Sequence, residues 1–478
     1  MIYLKNISIW KDTAREVDYP TMNEDKYTDV LIVGGGITGA SVFYHLKDSG
    51  LKVILCEQNK IGHSVTGSST GKLTFLQNDL IDKIRKIDEK LAAKYLNSQK
   101  FAIDLTLNII DKEKIECDLK KTYSYIYTSI DNEIEKVIGL EKFLNKCGIK
   151  TIICRNDLVD SKYMFRVSDT YLFHPIKFVY GLLSDGDNIY ENTSIKKIEK
   201  EGNYYICHTN DFKVKCKHVV IASHYPYFTI PYLFPIKGSL EKSYISASKY
   251  TTDIISLISY SNPFVSIRNY NDYLLYLSNS HPISSNVDDL KNYKELSKKI
   301  IDKKLKPEYY WSNIDIMTND YLPYVGEIKD NLYIGTGYNT WGMTNGVLAG
   351  RLISDLIKGN KPELWDLFDP KRSNLNQALG AFSDIKDSMI GYLDGFFIKN
   401  DNIEYEFDEG KKVMIYKDGD KEYKVYHRCP HLGCGLIFNE VEKTFDCPCH
   451  GSRFDLEGKC ISGPANEDIR VKSIDKYS

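Results

Sequence analysis

Two short segments, CPHLGC at 429–434 and CPCHGS at 447–452, hold four of the chain's eleven cysteines and two of its ten histidines. Thiolate and imidazole side chains are the ligands of zinc and of iron–sulfur clusters. Cys429-Pro-His431 and Cys447-Pro-Cys449-His450 offer two cysteines and two histidines, and each loop adds one further cysteine, Cys434 and Cys449, read here as standing at matching places. A structural zinc site accepts the same ligand types. Two features argue against zinc: each loop mixes one Cys with one His where a zinc finger pairs like with like, and each carries that extra cysteine.

A second chemistry lies near the amino terminus, in TDVLIVGGGITGASVFYHLKDSGLKVILCEQ. The apolar run Val30 to Val33 predicts a buried parallel strand, the glycines a turn, and Ala40 to Lys47 a helix packed back on the strand. Gly34 permits the tight turn, Gly36 lets a backbone approach a pyrophosphate, and Gly39 allows close contact between helix and strand. The next strand, Lys52 to Cys56, ends at Glu57, placed to accept hydrogen bonds from a ribose. An isolated glycine motif would be an ordinary turn; with strand, helix and terminal acid around it, the segment predicts a dinucleotide site. The motif itself does not separate FAD from NAD. Two later stretches favour one flavin dinucleotide: HSVTGSSTGKLT at 63–74, a small-residue run containing Thr70 and Gly71, and NLYIGTGYNTWGMTNGVLAG at 331–350, whose Gly337, Gly342 and Thr344 open a second helix. Asp355 falls inside that helix and not at a strand end, which disfavours a separate NAD site.

The elements that must position these groups follow from length and pattern. With 478 residues, 42% of them hydrophobic, the chain can bury two or three domains. Its 63 Lys plus Arg against 65 Asp plus Glu give a net charge of -2, without the basic excess that tracks nucleic acid. No stretch approaches the roughly 18 unbroken apolar residues of a membrane span. The first twenty residues are interrupted by charge and lack the apolar core of a secretory signal, so the expected place is the cytoplasm, with dispersed cysteines such as Cys56, Cys117 and Cys207 reduced and buried. Asp79 to Lys114 reads as helices, Phe264 to Arg268 and Tyr273 to Leu277 as strands about a turn at Asn271-Asp272. A proline- and charge-rich stretch after Ile357 marks a boundary, followed by AFSDIKDSMIGYLDGFF at 381–397, read as a helix. From about Phe397 short strands begin, with a hairpin turn at Gly419-Asp420.

DVLIVGGGITG, FHPIKFVYGL at 173–182, HVVIASHYP at 218–226, NDYLPYVG at 319–326 and GTGYNTWGMTNG at 335–346 resemble the D-amino-acid oxidase and glycine/sarcosine oxidase superfamily. The two ligand loops and Gly463-Pro464-Ala465, which is similar to a cluster-covering proline loop, resemble a Rieske [2Fe-2S] domain. The implied fold is α/β: a Rossmann-type FAD-binding fold with an inserted α+β substrate subdomain, then a small all-β Rieske domain. In residue terms this means an FAD-dependent oxidoreductase domain over 1–360 (cofactor part about 25–78, 150–235 and 315–360; substrate part about 79–149 and 236–314), a linker over 361–395 and a Rieske domain over 396–478. The resemblance implies that Cys429 and Cys447 hold one iron and His431 and His450 the other, and that Cys434 and Cys449 form a disulfide between the loops.

The expected function is dehydrogenation of a small organic substrate, an amine or amino acid, by FAD, with single electrons passing through the cluster to an external acceptor, a protein or a quinone. Electron flow in the opposite direction, from a donor through the cluster to the flavin, and a non-catalytic carrier or redox sensor are the alternatives. A Rieske oxygenase would carry a mononuclear iron site after the cluster domain; the sequence ends at Ser478, and that reading is set aside. The candidate catalytic residues are Lys72, expected near the flavin ring, Arg268, which resembles a substrate-domain arginine that pairs with a carboxylate, and His281, which stands where the superfamily has a glycine-richer loop ending in His. The run before Leu73 offers Ser68, Ser69 and Thr70, and GTGYNTWGM contains no cysteine, so the flavin is expected to be held without a covalent bond. Acid precipitation should release all of the yellow colour into the supernatant; colour retained in the pellet would contradict it.

Overall fold

The computed structural model describes residues 5–184, 186–225, 237–260, 264–283, 291–292, 305–372, 403–408, 410–418 and 421–475. Val30–Val33 lies at the centre of a six-stranded sheet, fully enclosed, because its four apolar residues have helices on one face and another layer on the other. Val53–Cys56 and Ile189–Tyr190 extend the sheet on one side. His218–Ile221 and Leu332–Thr336 extend it on the other, all in parallel, with Tyr324–Lys329 antiparallel at the edge. The helices Ile37–Leu46 and Gly342–Ile357 follow two of these strands and pack together, Ser41 and Ser354 each donating a hydrogen bond to a carbonyl of the opposite helix.

Beside it stands a nine-stranded mixed sheet with Pro307–Thr318 at one edge, then Gly238–Lys249, Tyr273–Pro282, Ser266–Tyr270, Ser256–Ser259, Lys120–Thr128, Tyr163–Leu172 and Lys72–Leu73, with Thr151–Ile153 also on Tyr163–Leu172. The hairpin at Asn271 is formed as the alternation predicts, Asn271 taking the left-handed conformation its short polar side chain tolerates. Helices Leu80–Ile87 and Glu89–Glu113 occupy the stretch read as helical. One boundary differs. Thr151–Ile153 and Tyr163–Leu172 pair into this sheet, as do residues 315–318, although both segments were assigned to the cofactor part. The strands that draw them in, Lys120–Thr128 for Tyr163–Leu172 and Gly238–Lys249 for residues 315–318, are separate in sequence, and the local pattern of a strand does not name its partner.

The carboxy-terminal module consists of two four-stranded sheets around its own core of Met414, Val425, Leu436, Phe438, Phe445 and Phe454. Asp418 and Lys421 are cross-strand partners, as a hairpin between them requires. The turn residues Gly419 and Asp420, the helix read at 381–397 and the module's start at Phe397 lie outside the described residues.

The module is seated on the nine-stranded sheet through a strand pair with two uses. Across Gly238–Lys249 and Pro307–Thr318 the register pairs Glu241 with Asp315 and Ser243 with Asn313, alternating with Lys242 opposite Ile314 and Tyr244 opposite Ser312. Successive side chains point to opposite faces, so the two sets separate. One face meets the module: the Lys242 ammonium lies 3.5 Å from Glu442 and 3.4 Å from Asp446, Ser312 donates to Glu442 at 2.9 Å, and Tyr310 donates to the Val441 carbonyl. Arg453 closes the network by pairing with both Glu442 and Asp446. Burial opposes ionisation of Glu442, and the Arg453 and Lys242 charges outweigh it, holding the carboxyl below its usual range. Elsewhere Gln58 and Asn59 both donate to the Cys460 carbonyl, and Asn466 and Lys196 exchange hydrogen bonds.

Removing one member of a buried ion network leaves the others desolvated without a partner, at a cost of roughly 3–5 kcal/mol. Glu442→Ala is therefore expected to release the module's docking, seen by calorimetry as an earlier, separate unfolding transition. A single transition at the original temperature would contradict it.

Candidate functional site

A cavity with an empty volume of about 1570 Å³, including its open mouth, runs from the glycine turn after Val33 to the face of the carboxy-terminal module. Gly34, Gly36, Glu57, Thr70, Gly71 and Gly342 line it, as does Lys72. Gly34 has φ +109°, and a Cβ there would stand 2.6 Å from the Ala222 carbonyl oxygen. Gly39 does not line the cavity; a Cβ on it would fall 1.9 Å from the Gly34 carbonyl oxygen, so its task is the close helix-to-strand approach. Both helices that reach the cavity begin without a cap from the residue before them, at Gly36 and at Trp341, the Ile37 N–H alone donating to the Thr66 hydroxyl at 3.0 Å. Their amino-terminal N–H groups and positive dipole ends therefore converge on one space, which suits a pyrophosphate and an electron-rich ring. The Glu57 carboxylate accepts the N–H groups of Gly35 and Asn59 at 2.7 and 2.9 Å, at the cavity edge.

Four residues expected at the cofactor or the substrate do other work. Gly337 and Thr344 are absent from the cavity lining: Gly337 makes a left-handed turn, and Thr344 donates to Gln99 at 2.6 Å in a buried amide network. Arg268 is a correction with a clear physical reason. Its guanidinium donates to the carbonyls of Thr70, Gly71, Phe173 and Asn269, so it is not presented to a substrate carboxylate. It braces the Thr70–Gly71 turn instead. His281 also stands apart from the lining, its ring stacked on Tyr244 and hydrogen-bonded to the Tyr244 hydroxyl at 3.0 Å. Lys72 reaches the cavity wall, but its ammonium donates to the Leu257 carbonyl at 2.8 Å, and burial, then the Arg268 charge, holds its pKa well below the usual lysine range.

The cavity brings in residues that were not foreseen. Ser243, Asn313 and Asp315 come from the second face of the strand pair that carries Lys242. Burial pushes the Asp315 carboxyl up to about 7; the Asn313 amide, 3.0 Å away, pulls it down, and Glu241 across the ladder pushes it further up. The signal was available: in YYWSNIDIMT the polar Asn313 and Asp315 alternate with apolar residues on one face of a buried strand. His224 also lines the cavity, in a left-handed conformation at φ 61°, with its Nε2 buried and unpartnered. The next residue, Tyr225, places its ring 6.3 Å from that of His431 and 6.0 Å from that of His450.

The two ligand loops fold alike. In the first, the Cys429 N–H donates to the Cys434 carbonyl and the Gly433 N–H to the Cys429 carbonyl; in the second, Cys447 and Gly451 donate to Ser452 and Cys447 in the same way. Cys429 and Cys447 approach closely enough to share a thiol hydrogen bond, and the His431 and His450 rings lie 5.0 Å apart. Both ring nitrogens of His431 and the Nδ1 of His450 are buried without hydrogen-bond partners, the expected state of groups whose partner is a metal. Cys434 and Cys449 form a disulfide. They do not stand at matching places: the common turn aligns Cys434 with Ser452, and Cys449 with His431. The Cys447 sulfur lies within 4.8 Å of both disulfide sulfurs, which, already bonded to each other, are not metal donors.

The family model described as FAD dependent oxidoreductase matches residues 29–356, most of the chain. The chain belongs to that family. Residues 399–475 match the Rieske [2Fe-2S] domain. A protein of Bacillus subtilis (strain 168) named as a Rieske 2Fe-2S iron-sulfur protein, YhfW, is 29% identical over 98% of this chain and 97% of its own. The gamma-glutamylputrescine oxidoreductase of Escherichia coli (strain K12) is 25% identical over 73% of this chain and 88% of its own length. Among solved structures, glycine oxidase from Geobacillus kaustophilus superposes with a TM-score of 0.63 at 17% identity, over 73% of this chain and all of that one. The protein is thus an FAD-dependent oxidoreductase with a carboxy-terminal Rieske domain, and its cofactors are FAD and a [2Fe-2S] cluster. The glycine cradle, the two helix amino termini and the orphaned imidazoles fit these two groups.

Ser452 is fully buried, its hydroxyl within hydrogen-bonding reach of the Cys429 sulfur, whereas Phe454 brings no hydroxyl to the same core. A hydrogen bond to a charged group contributes roughly 1.5–3 kcal/mol, which is about 60–130 mV for one electron. Ser452→Ala is expected to lower the cluster midpoint by about that amount, and Phe454→Tyr to raise it. A redox titration followed by paramagnetic resonance measures both; shifts below roughly 20 mV would show that neither side chain tunes the cluster.

Proposed function

We propose that the protein is an amine or amino-acid dehydrogenase that sends single electrons from FAD through its Rieske cluster to an external acceptor. In this reading Cys429 and Cys447 hold one iron and His431 and His450 the other, and the acceptor is a redox protein or a quinone in the cytoplasm. FAD supplies the hydride-accepting ring, and the cluster supplies a one-electron relay. The names of the relatives, a gamma-glutamylputrescine oxidoreductase and a glycine oxidase, support a substrate with an oxidisable C–N bond.

The observation that carries the proposal is the shared wall. His224 lines the cavity while the adjoining Tyr225 packs against both cluster-side imidazoles, and Ile461, Ser462 and Gly463 of the Rieske domain line the same cavity. The cavity and the cluster loops therefore share a wall. Ser243, Asn313 and Asp315 orient the substrate from the sheet, Arg268 fixes the Thr70–Gly71 turn at the ring, and the docked module excludes water from one side. A carrier or sensor would have no use for polar groups converging on an internal cavity.

Anaerobic addition of amines and amino acids to the holoprotein tests the reading: one of them should bleach the flavin. Cys447→Ser should then abolish the cluster signal yet leave single-turnover bleaching intact, while steady reduction of a one-electron acceptor such as ferricenium falls by at least about tenfold. Unchanged turnover would mean that the flavin discharges directly. Flavin unmoved by every amine, but reduced by a one-electron donor protein in the wild type and not in Cys447→Ser, would reverse the direction of flow.

A further inference from the structure

Asp315 stands out among the cavity's charged groups because no charge among the described residues pairs with it. Its Oδ2 accepts one hydrogen bond, from Asn313, and among the described residues the carboxylate has no ion-pair partner and Oδ1 no donor. The other charged groups among the described lining residues are already engaged. Glu57 accepts two backbone N–H groups, Lys72 donates to Leu257, and Arg268 is clamped on carbonyls behind the lining. Lys242, the neighbour of Ser243 in sequence, points to the opposite face and pairs with Glu442 and Asp446. A half-buried carboxylate without a partner favours a cation beside it, since a cation restores the interaction lost with water.

The rest of the cavity says what kind of cation. Among the described lining residues, Lys72 is the sole lysine or arginine, and its ammonium faces a backbone carbonyl. No guanidinium fork is available to grip an α-carboxylate, so a zwitterionic amino acid would place its carboxylate beside Asp315 or against uncharged wall. Phe264 and Leu277 supply apolar surface for an alkyl chain, and Ser243 and Asn313 flank the carboxylate with hydrogen-bonding groups. We infer that Asp315 is the substrate anchor, binding the ammonium of an alkylamine that lacks an α-carboxylate, with Asn313 holding the carboxylate in place. The inference rests on the amine reading above and narrows it. Its carboxyl, which burial pushes up to about 7, would be returned to the ionised form by the bound cation.

The test uses the full-length holoprotein without oxygen and reads the flavin spectrum, which reports occupancy of the cavity as well as reduction. n-Butylamine and L-norvaline are titrated in parallel; they differ chiefly in the α-carboxylate. The wild type is expected to respond to butylamine at a concentration at least about tenfold lower than to norvaline. Asp315→Asn should raise the butylamine midpoint at least about tenfold and leave norvaline within roughly twofold, and Asp315→Glu should restore part of the loss. Equal or tighter response to norvaline in the wild type overturns the inference with no variant needed. So does an Asp315→Asn protein that keeps its flavin and cluster spectra and binds butylamine as before. If no amine or amino acid perturbs the wild-type flavin, the broader amine reading fails as well, which separates the two failures.

Discussion

The arrangement depends on the two-residue alternation of one strand pair, Gly238–Lys249 against Pro307–Thr318. Because side chains leave a strand on alternate faces, one ladder supplies Lys242, Tyr310 and Ser312 to the Rieske module and Ser243, Asn313 and Asp315 to the cavity. A slip of one residue would exchange the two sets, facing Lys242 into the cavity and Asp315 toward Glu442 and Asp446. Neither outcome is tolerable: the first removes the cation from a buried acidic cluster, and the second adds a third carboxylate to it. The ion network thus specifies register as much as it stabilises docking, which is the use of buried charge most easily defended on energetic grounds.

Arg268 illustrates a second constraint. A Cβ at Gly71 would lie 2.6 Å from the Phe173 carbonyl and 2.9 Å from the Arg268 guanidinium, so the turn is pressed against its brace. Backbone carbonyls that converge on the inner side of that turn would be buried without donors, and one planar cation satisfies several of them at once. The arginine shapes the cavity from behind, and its charge is why Lys72, already hindered by burial, is pushed further from protonation. Of the two basic residues that a sequence places near the substrate, Arg268 lies behind the lining and Lys72 lines it with its ammonium turned to the Leu257 carbonyl, so neither pairs with Asp315.

The sequence made some of this legible and hid the rest for definite reasons. The glycine turn, the strands beside it and the paired Cys-His loops are encoded locally, in spacings of a few residues, and each is found where the pattern puts it. The roles of Arg268 and His281 are not local. What a guanidinium touches depends on Thr70 and Phe173, far away in the chain, and only the folded sheet brings their carbonyls together. Asp315 lay between these cases. Its strand pattern was visible, but that its face opens on a cavity requires knowing which strands flank it. The extra cysteines were misjudged rather than hidden: CPHLGC set against CPCHGS already puts Cys434 sixth and Cys449 third, and the hydrogen bonds of the common turn confirm that alignment.

That inequality has a structural consequence for the cluster loops. Two identical turns related by approximate symmetry would present equivalent positions to each other, and a disulfide between equivalent residues would leave the two histidines free to be equivalent too. Joining Cys434 to Cys449 instead uses in one loop the place that Ser452 fills in the other. Ser452 is thereby left to meet Cys429 and to accept the N–H of Ala465 at 2.9 Å, tying the proline loop to the ligand loops. Residues Ile461 to Gly463, just before that tie, form part of the flavin cavity. Both cysteines of the disulfide are almost fully buried, at 3% and 6% exposure, so a reductant in solution must open the module before it can reach them. The same short segment therefore fixes the cluster's surroundings and closes the cavity, which makes the two redox sites geometrically dependent on each other.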